Sequence, residues 1–197
     1  NNIRDEFGAA AYTNNNGTLS WTGNWIEAGD DLSAVSGDIL VTGGVLSFSG
    51  LEANDEIGRW VKIAGSTNAT LTFAYAGTGL TATRYLSVWV VSNGTEFLLG
   101  SYTAAGSGTA NFDLRPYVGT GSSFSNRLVF RAGGTDWASQ SFTVDNVNLA
   151  LDRPMQTTLD NAYVEVSTNG SSWTALYTAN GNLAGTVTTN FDLTAYR

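Results

Sequence analysis

The chain contains neither cysteine nor histidine. Without thiols it can form no disulfide and no thiolate nucleophile. Without imidazole it lacks the side chain most used as base, proton shuttle and metal ligand near neutral pH. A serine nucleophile would have no histidine partner, and the one lysine, Lys62, would have to act alone as base. Positive charge is scarce: nine Lys and Arg stand against seventeen Asp and Glu, for a net charge of -8. Such a chain repels phosphate backbones and anionic lipid surfaces, which argues against nucleic acid and membrane insertion as partners. No apolar run reaches membrane-spanning length. Good helix formers are few, and the two prolines, Pro116 and Pro154, fall outside the strand-like segments.

What remains is rich in Gly, Thr, Ser, Asn and aromatics, a composition typical of secreted β-proteins. At 197 residues the chain suffices for one large β domain, or one domain plus a piece. Its start, NNIRDEF, reads as cut from a longer protein. Two-residue alternation recurs between Gly, Asn and Asp clusters. ATLTFAYAG puts Leu71, Phe73 and Tyr75 on one face, and RWVKIAG separates Val61 and Ile63 from Trp60 and Lys62. GDILVTGGVLSFSG reads as a hairpin about Gly43-Gly44, and YLSVWVVSNGTEFLLGSY as one about Asn93-Gly94. NRLVFRAG and SFTVDNVNLAL supply two closing strands. No amphipathic helix stands out. The pattern predicts an all-β fold, an antiparallel β-sandwich of jelly-roll type, with an immunoglobulin-like sandwich as the alternative.

The end of the chain repeats part of its middle. VSNGTEF is echoed by VSTNGSSW, with Asn93-Gly94 matching Asn169-Gly170 and Phe97 matching Trp173. NFDL recurs at Asn111 to Leu114 and Asn190 to Leu193, each followed by a tyrosine, Tyr117 or Tyr196. The expected organisation is a complete sandwich over 1–151 and a partial repeat, a hairpin plus a strand, over 152–197. A piece that short cannot bury a core of its own. It is expected to dock on the first unit or on another chain by edge pairing or apolar contact.

RDEF, NNNGTLSWTGNWIE, GDILV, ATLTFAYAG, VSNGTEF, FDL with Tyr117, RLVF and FTVDNVNL together resemble a β-sandwich module of large bacterial secreted and surface proteins. Repeats-in-toxin adhesins and multidomain carbohydrate-active enzymes carry such modules. The resemblance covers the first three quarters of the chain and, in part, the tail. It implies an extracellular, calcium-rich setting and a non-catalytic role in binding or spacing. In that layout the first and last strands lie side by side, which brings Asp5 or Glu6 near Asp145. The Gly-flanked pair Asp30 and Asp31 adds further oxygens for a structural Ca²⁺, with Glu27 a lesser contributor. Asp113 and Asp192 read as turn caps.

For a ligand, aromatic rings that could stack on sugar come first. Trp137, beside Asp136 in GGTDWAS, looks like an exposed loop ring, and Trp89 shares a strand face with Tyr85. These four are the candidate ligand residues. Trp21 and Trp25 are weaker candidates, and Trp60 and Trp173 read as packing. Two-carboxylate glycosidase chemistry is open to the composition, but no acidic pair sits where one pKa would be raised. The Asn-X-Ser/Thr sites at Asn16, Asn68, Asn93 and Asn169 read as turn asparagines. Three roles follow: a glycan-binding module, a spacer contacting neighbouring domains, or a module recognising peptides.

Overall fold

The computed structural model describes residues 1–119, 125–152, 162–179 and 190–196. The chain divides into two compact units, Asn1–Arg153 and Pro154–Arg197.

The first unit is an antiparallel sandwich of two sheets. One holds β3 (Ile39–Thr42), β4 (Val45–Ser49), β11 (Ser141–Asp152), β6 (Asn68–Thr78) and β9 (Gly106–Asp113) in that order, with β1 (Asn2–Asp5) also paired to β11. The other runs β2 (Trp25–Ala28), β5 (Glu56–Val61), β10 (Asn126–Gly133), β7 (Tyr85–Ser92) and β8 (Thr95–Tyr102). Apart from the β3–β4 and β7–β8 hairpins, neighbours in each sheet come from distant parts of the sequence, the crossover of a jelly roll rather than a meander. The hairpins fall where the sequence places them. Asn93 and Gly94 have φ of 49° and 83°, and Gly43 and Gly44 have 60° and 82°. Two successive left-handed residues give the turn twist that matches paired strands.

Alternation turns Leu71 and Phe73 of one sheet, and Leu86, Val88 and Phe130 of the other, into one buried core. Phe73 meets Phe130 edge-on with ring centroids 5.3 Å apart, and Phe48 and Trp25 reach the same ring at 6.1 and 6.0 Å. Trp21 and Trp25 are both buried, their centroids 5.7 Å apart, so they belong to this core. Arg59 enters it too. Its guanidinium lies 4.7 Å from the Trp21 ring and donates to Asp5 Oδ2 at 2.6 Å. No helix among the described residues is long and apolar enough to cross a membrane.

The second unit contains β12 (Ala162–Val166) paired with β13 (Thr174–Ala179). Its hairpin shares a detail with β7 and β8. A register shift falls between Val88 and Trp89 in the first and between Val164 and Glu165 in the second, each starting five residues ahead of its turn asparagine. Both FDL motifs run into a short 3₁₀ turn, Arg115–Tyr117 and Thr194–Tyr196, whose first N–H is bonded by the aspartate two residues before it. Asp113 Oδ1 accepts from Arg115 N, and Asp192 Oδ1 from Thr194 N, both at 2.9 Å. The aromatic match fails in space. Phe97 lies within β8 opposite Val90, whereas Trp173 precedes β13, because the second turn is longer. Trp173 is 60% exposed, so it does not pack as expected. Leu193 is 46% exposed where its counterpart Leu114 is buried, and Val164 is 42% exposed where Val88 is buried.

Candidate functional site

The outer face of the five-stranded sheet carries the aromatic rings that the core does not use. Trp60 of β5 stands opposite Arg127 of β10, which stands opposite Val91 of β7. In the next outward row Gly58, Val129, Trp89 and Leu98 lie side by side across four strands. Strand spacing and rise separate the Trp60 and Trp89 backbones by about 12 Å. Trp60 is 39% exposed and Trp89 half-buried. Trp60 therefore corrects the packing role expected for it.

Charged side chains lie flat among these rings. Arg127 donates to Glu56 Oε1 at 3.0 Å, and Arg131 to Glu56 Oε2 at 2.6 Å. Arg131 also grips Glu96 with two parallel bonds of 3.0 and 2.7 Å. Its guanidinium sits 5.3 Å from the Trp89 ring, whose Nε1 donates to Ser87 Oγ at 2.8 Å. Gly58 makes room for this layer, since a Cβ there would lie 2.4 Å from Arg127 Nε. Arg131 holds the Glu96 carboxyl below its ordinary range through direct hydrogen bonds. The result is a platform of ring faces, guanidinium edges and arginine-paired carboxylates.

Tyr85 borders the platform, packed over Gly133, where a Cβ would meet its ring at 2.2 Å. Asp136 is exposed at the end of this region and faces Arg84 at 3.8 Å. Trp137 does not join them. Its side chain is 1% exposed, its N–H donates to Leu51 O at 3.2 Å, and its Nε1 to Gly133 O at 3.3 Å. The Gly and Asp around it mark a loop, but the loop folds its ring inward to close the sandwich. Trp60, Arg127 and Arg131 are the platform residues the sequence reading missed; the signal for Trp60 was its alternation out of phase with Val61 and Ile63.

The acidic candidates do not gather at one place. β1 pairs with β11 as the resemblance implies, but Asp5 stands opposite Val147 and its carboxylate faces the core. There it accepts from Arg59, from Trp25 Nε1 at 2.9 Å and from Phe7 N at 2.9 Å. A carboxylate so enclosed cannot also hold a cation. Glu6 pairs with Arg4 at 2.7 Å. Asp145 sits half-exposed at a register shift in β11, two residues along from Val147, the partner of Asp5. The proposed grouping of these three with Asp30 and Asp31 is not what the fold builds.

Instead Glu27, Asp30 and Asp31 converge, their ligand oxygens all within 4.8 Å of one another. Glu27 is the buried member. Its Oε2 accepts from Leu32 N at 2.7 Å, and Tyr12 Oη donates to its Oε1. Asp30 Oδ2 accepts from Asp38 N and Ile39 N, both at 2.7 Å, and Asp31 from Ser33 N at 2.9 Å and Ser36 Oγ at 2.7 Å. Burial, and then the neighbouring Asp30 and Asp31 charges, push the Glu27 carboxyl up. Asp38 and Asp55 are raised likewise, first by burial and then by surrounding carboxylates. Hard oxygen ligands with mutual repulsion suit Ca²⁺, and Glu27, Asp30 and Asp31 are the residues that would hold it.

No family model matches the chain, and no curated protein does. Solved structures do. Xylanase 10C from Cellvibrio japonicus, in complex with xylopentaose, shares 12% identity at a TM-score of 0.46; the match spans 68% of this chain and 28% of the xylanase. A xylan-binding module shares 12% identity at a TM-score of 0.44, over 68% of this chain and 95% of the module. A family 29 carbohydrate-binding module shares 10% identity at a TM-score of 0.48, over 76% and 93%.

Proposed function

We propose that the first unit is a non-catalytic glycan-binding module of a secreted or surface protein. Sugar rings lie against the outer face of the five-stranded sheet. The observation that carries this reading is the pair Trp60 and Trp89 on one outward face, set among Arg127, Arg131, Glu56 and Glu96. Ring faces stack on the C–H face of a sugar, and the charged edges bond its hydroxyls. Tyr85 and Asp136 extend the platform at one end. Both platform carboxylates are tied to arginine, and Glu96, held below its ordinary range by Arg131, does not offer the raised pKa of a glycosidase acid. Trp60→Ala should weaken binding to the preferred oligosaccharide about tenfold. Being exposed, it should leave stability within roughly 0.5 kcal/mol. Calorimetric titration after a glycan-array screen measures both the ligand and the loss. An array without binding, or a Trp60→Ala affinity equal to wild type, removes the platform.

In this reading the loop of Glu27, Asp30 and Asp31 binds a structural Ca²⁺ that stiffens the sandwich. Metal held only by the folded state stabilises it by about 2.7 kcal/mol at a hundredfold excess over Kd. For a domain of this size that raises Tm by roughly 5–10 °C. Without calcium the pH response has a fixed sign. Glu27, Asp38 and Asp55 have raised pKa values in the folded state. Stability they confer when protonated is fully present below the unfolded carboxylate range and is lost as pH rises through the folded values. The EDTA-treated protein should therefore melt later near pH 5 than at pH 7, and calcium should narrow that gap. Superimposable melting curves with EDTA and with excess Ca²⁺ at pH 7 would dispose of the metal.

A spacer role in a protein built of repeated modules is the second reading. It is favoured by the shared register shift and aspartate-bonded 3₁₀ turn of the two units. On that reading the exposed Val164, Trp173 and Leu193 of the second unit dock against a neighbouring domain.

A further inference from the structure

The outer face of the other sheet holds a feature of different chemistry. Between Asp145 and Asn148, β11 advances three residues while its partner β6 advances two, from Ala74 to Thr72. The extra residue makes a β-bulge, which re-aims side chains locally. Asn146 lies in it at φ 57°, a left-handed conformation that asparagine tolerates better than most residues. Val144 and Val147 both stay in the core, so Asp145 and Asn146 occupy the gap between two inward positions. Asn146 thereby joins the outward Asn148 of β11, Asn2 and Arg4 of β1, Thr72 of β6 and Thr109 of β9 around a cavity of about 370 Å³. Ala74, paired with Thr109, lies low among these taller side chains and leaves the space open.

The walls are already ordered. Arg4 Nε donates to Asn146 Oδ1 at 2.6 Å, and Asn2 Nδ2 to Asn148 Oδ1 at 2.8 Å. Asn148 Nδ2 reaches Thr72 Oγ1 at 3.5 Å. Each carboxamide offers two donors and an acceptor with two lone pairs, so these bonds leave capacity over. The Asn146 NH₂ group in particular meets no protein acceptor among the described residues. Glu6, at 2.7 Å, balances the Arg4 charge, so the cavity is polar without strong net charge. No tryptophan or tyrosine lines it, and Phe73, which borders it, is buried in the core.

The geometry points to a second binding site here, with no exposed aromatic ring, for a neutral, hydroxyl-rich ligand of one or two sugar residues. Vicinal hydroxyls both donate and accept, which is what side-by-side carboxamides and a guanidinium edge satisfy. Stacking takes no part. The ligand class rests on the reading of the module as glycan-directed; the site does not share a residue with the Trp60 and Trp89 platform.

The test is a titration of the whole ¹⁵N-labelled chain with a panel of neutral mono- to tetrasaccharides. Amide and side-chain shifts should move at Asn2, Thr72, Asn146 and Asn148. Asn146→Gly keeps the left-handed backbone at no steric cost and removes only the carboxamide. It should raise the Kd read from those shifts at least tenfold while the melting temperature holds. Trp60→Ala should leave the same shifts in place, and a screen in which platform residues alone respond would overturn the second site while preserving the first. Unchanged affinity in Asn146→Gly also overturns it, as does a panel in which no sugar moves these four residues. Asn148→Ala gives an independent check, with the same loss expected.

Discussion

Replacing Arg59 with alanine should cost about 3–5 kcal/mol of folding stability, as expected when one partner of a buried ion pair is removed. Arg59 is 2% exposed and Asp5 fully buried. The guanidinium serves four partners at once: Asp5 Oδ2 at 2.6 Å, Asn14 O at 2.8 Å, Gly23 O at 2.8 Å and the Trp21 ring. It thereby ties β1, the following loop and the entry to β2 to the middle of the second sheet. Burial dominates the electrostatics on both sides. It raises the Asp5 carboxyl above its ordinary range against the Phe7, Trp25 and Arg59 bonds, and pushes Arg59 down to about 10 against the pull of Asp5. Both shifts say that the pair is expensive to bury, so its own net contribution is small. The cost appears when the pair is broken, because Asp5 is left in the core with only Trp25 and Phe7. The double change Arg59→Met with Asp5→Asn should therefore recover part of the loss. Urea denaturation of both variants measures it. An Arg59→Ala midpoint within 1 kcal/mol of wild type would show that the N-terminal strand does not depend on this contact.

The same pair explains how far the sequence could be read. Strand positions and faces were legible because period-two alternation and Gly-containing turns are local signals. Leu71 with Phe73, Val61 with Ile63 and the Asn93-Gly94 turn all fall where those signals put them. The adjacency of β1 and β11 came from the resemblance, and the structure has it. Whether Asp5 faces a cation or an arginine depends on what lies across the sandwich. Arg59 is 54 residues away, and no local pattern links the two. Asp30 and Asp31 were visible because they are consecutive in a Gly-flanked loop. Glu27 was underweighted because alternation in a four-residue strand does not say that its head reaches that loop. The bulge at Asn146 left no mark in the sequence beyond the Asp-Asn-Val run, which reads equally well as an unbroken strand.

Trp137→Ala should cost about 3–5 kcal/mol, the range for truncating a large buried aromatic, and should leave sugar binding by the folded protein unchanged. The residue sits in the loop joining β10 and β11, with its ring sealed at 1% exposure and both its N–H groups bonded to backbone carbonyls. Truncation opens a cavity and leaves the Gly133 and Leu51 region without its cover. Trp60→Ala is the mirror image: little stability lost, binding impaired. Each tryptophan follows a charged residue and precedes an apolar one, Arg59 and Val61 about Trp60, Asp136 and Ala138 about Trp137, and the sequence alone assigned them the opposite roles. Composition favours neither, and the difference lies in what covers each ring. Denaturation midpoints and titrations on the two variants separate them cleanly. A Trp137→Ala protein that keeps its stability but loses glycan affinity would reverse the assignment and move the binding surface to the β10–β11 loop.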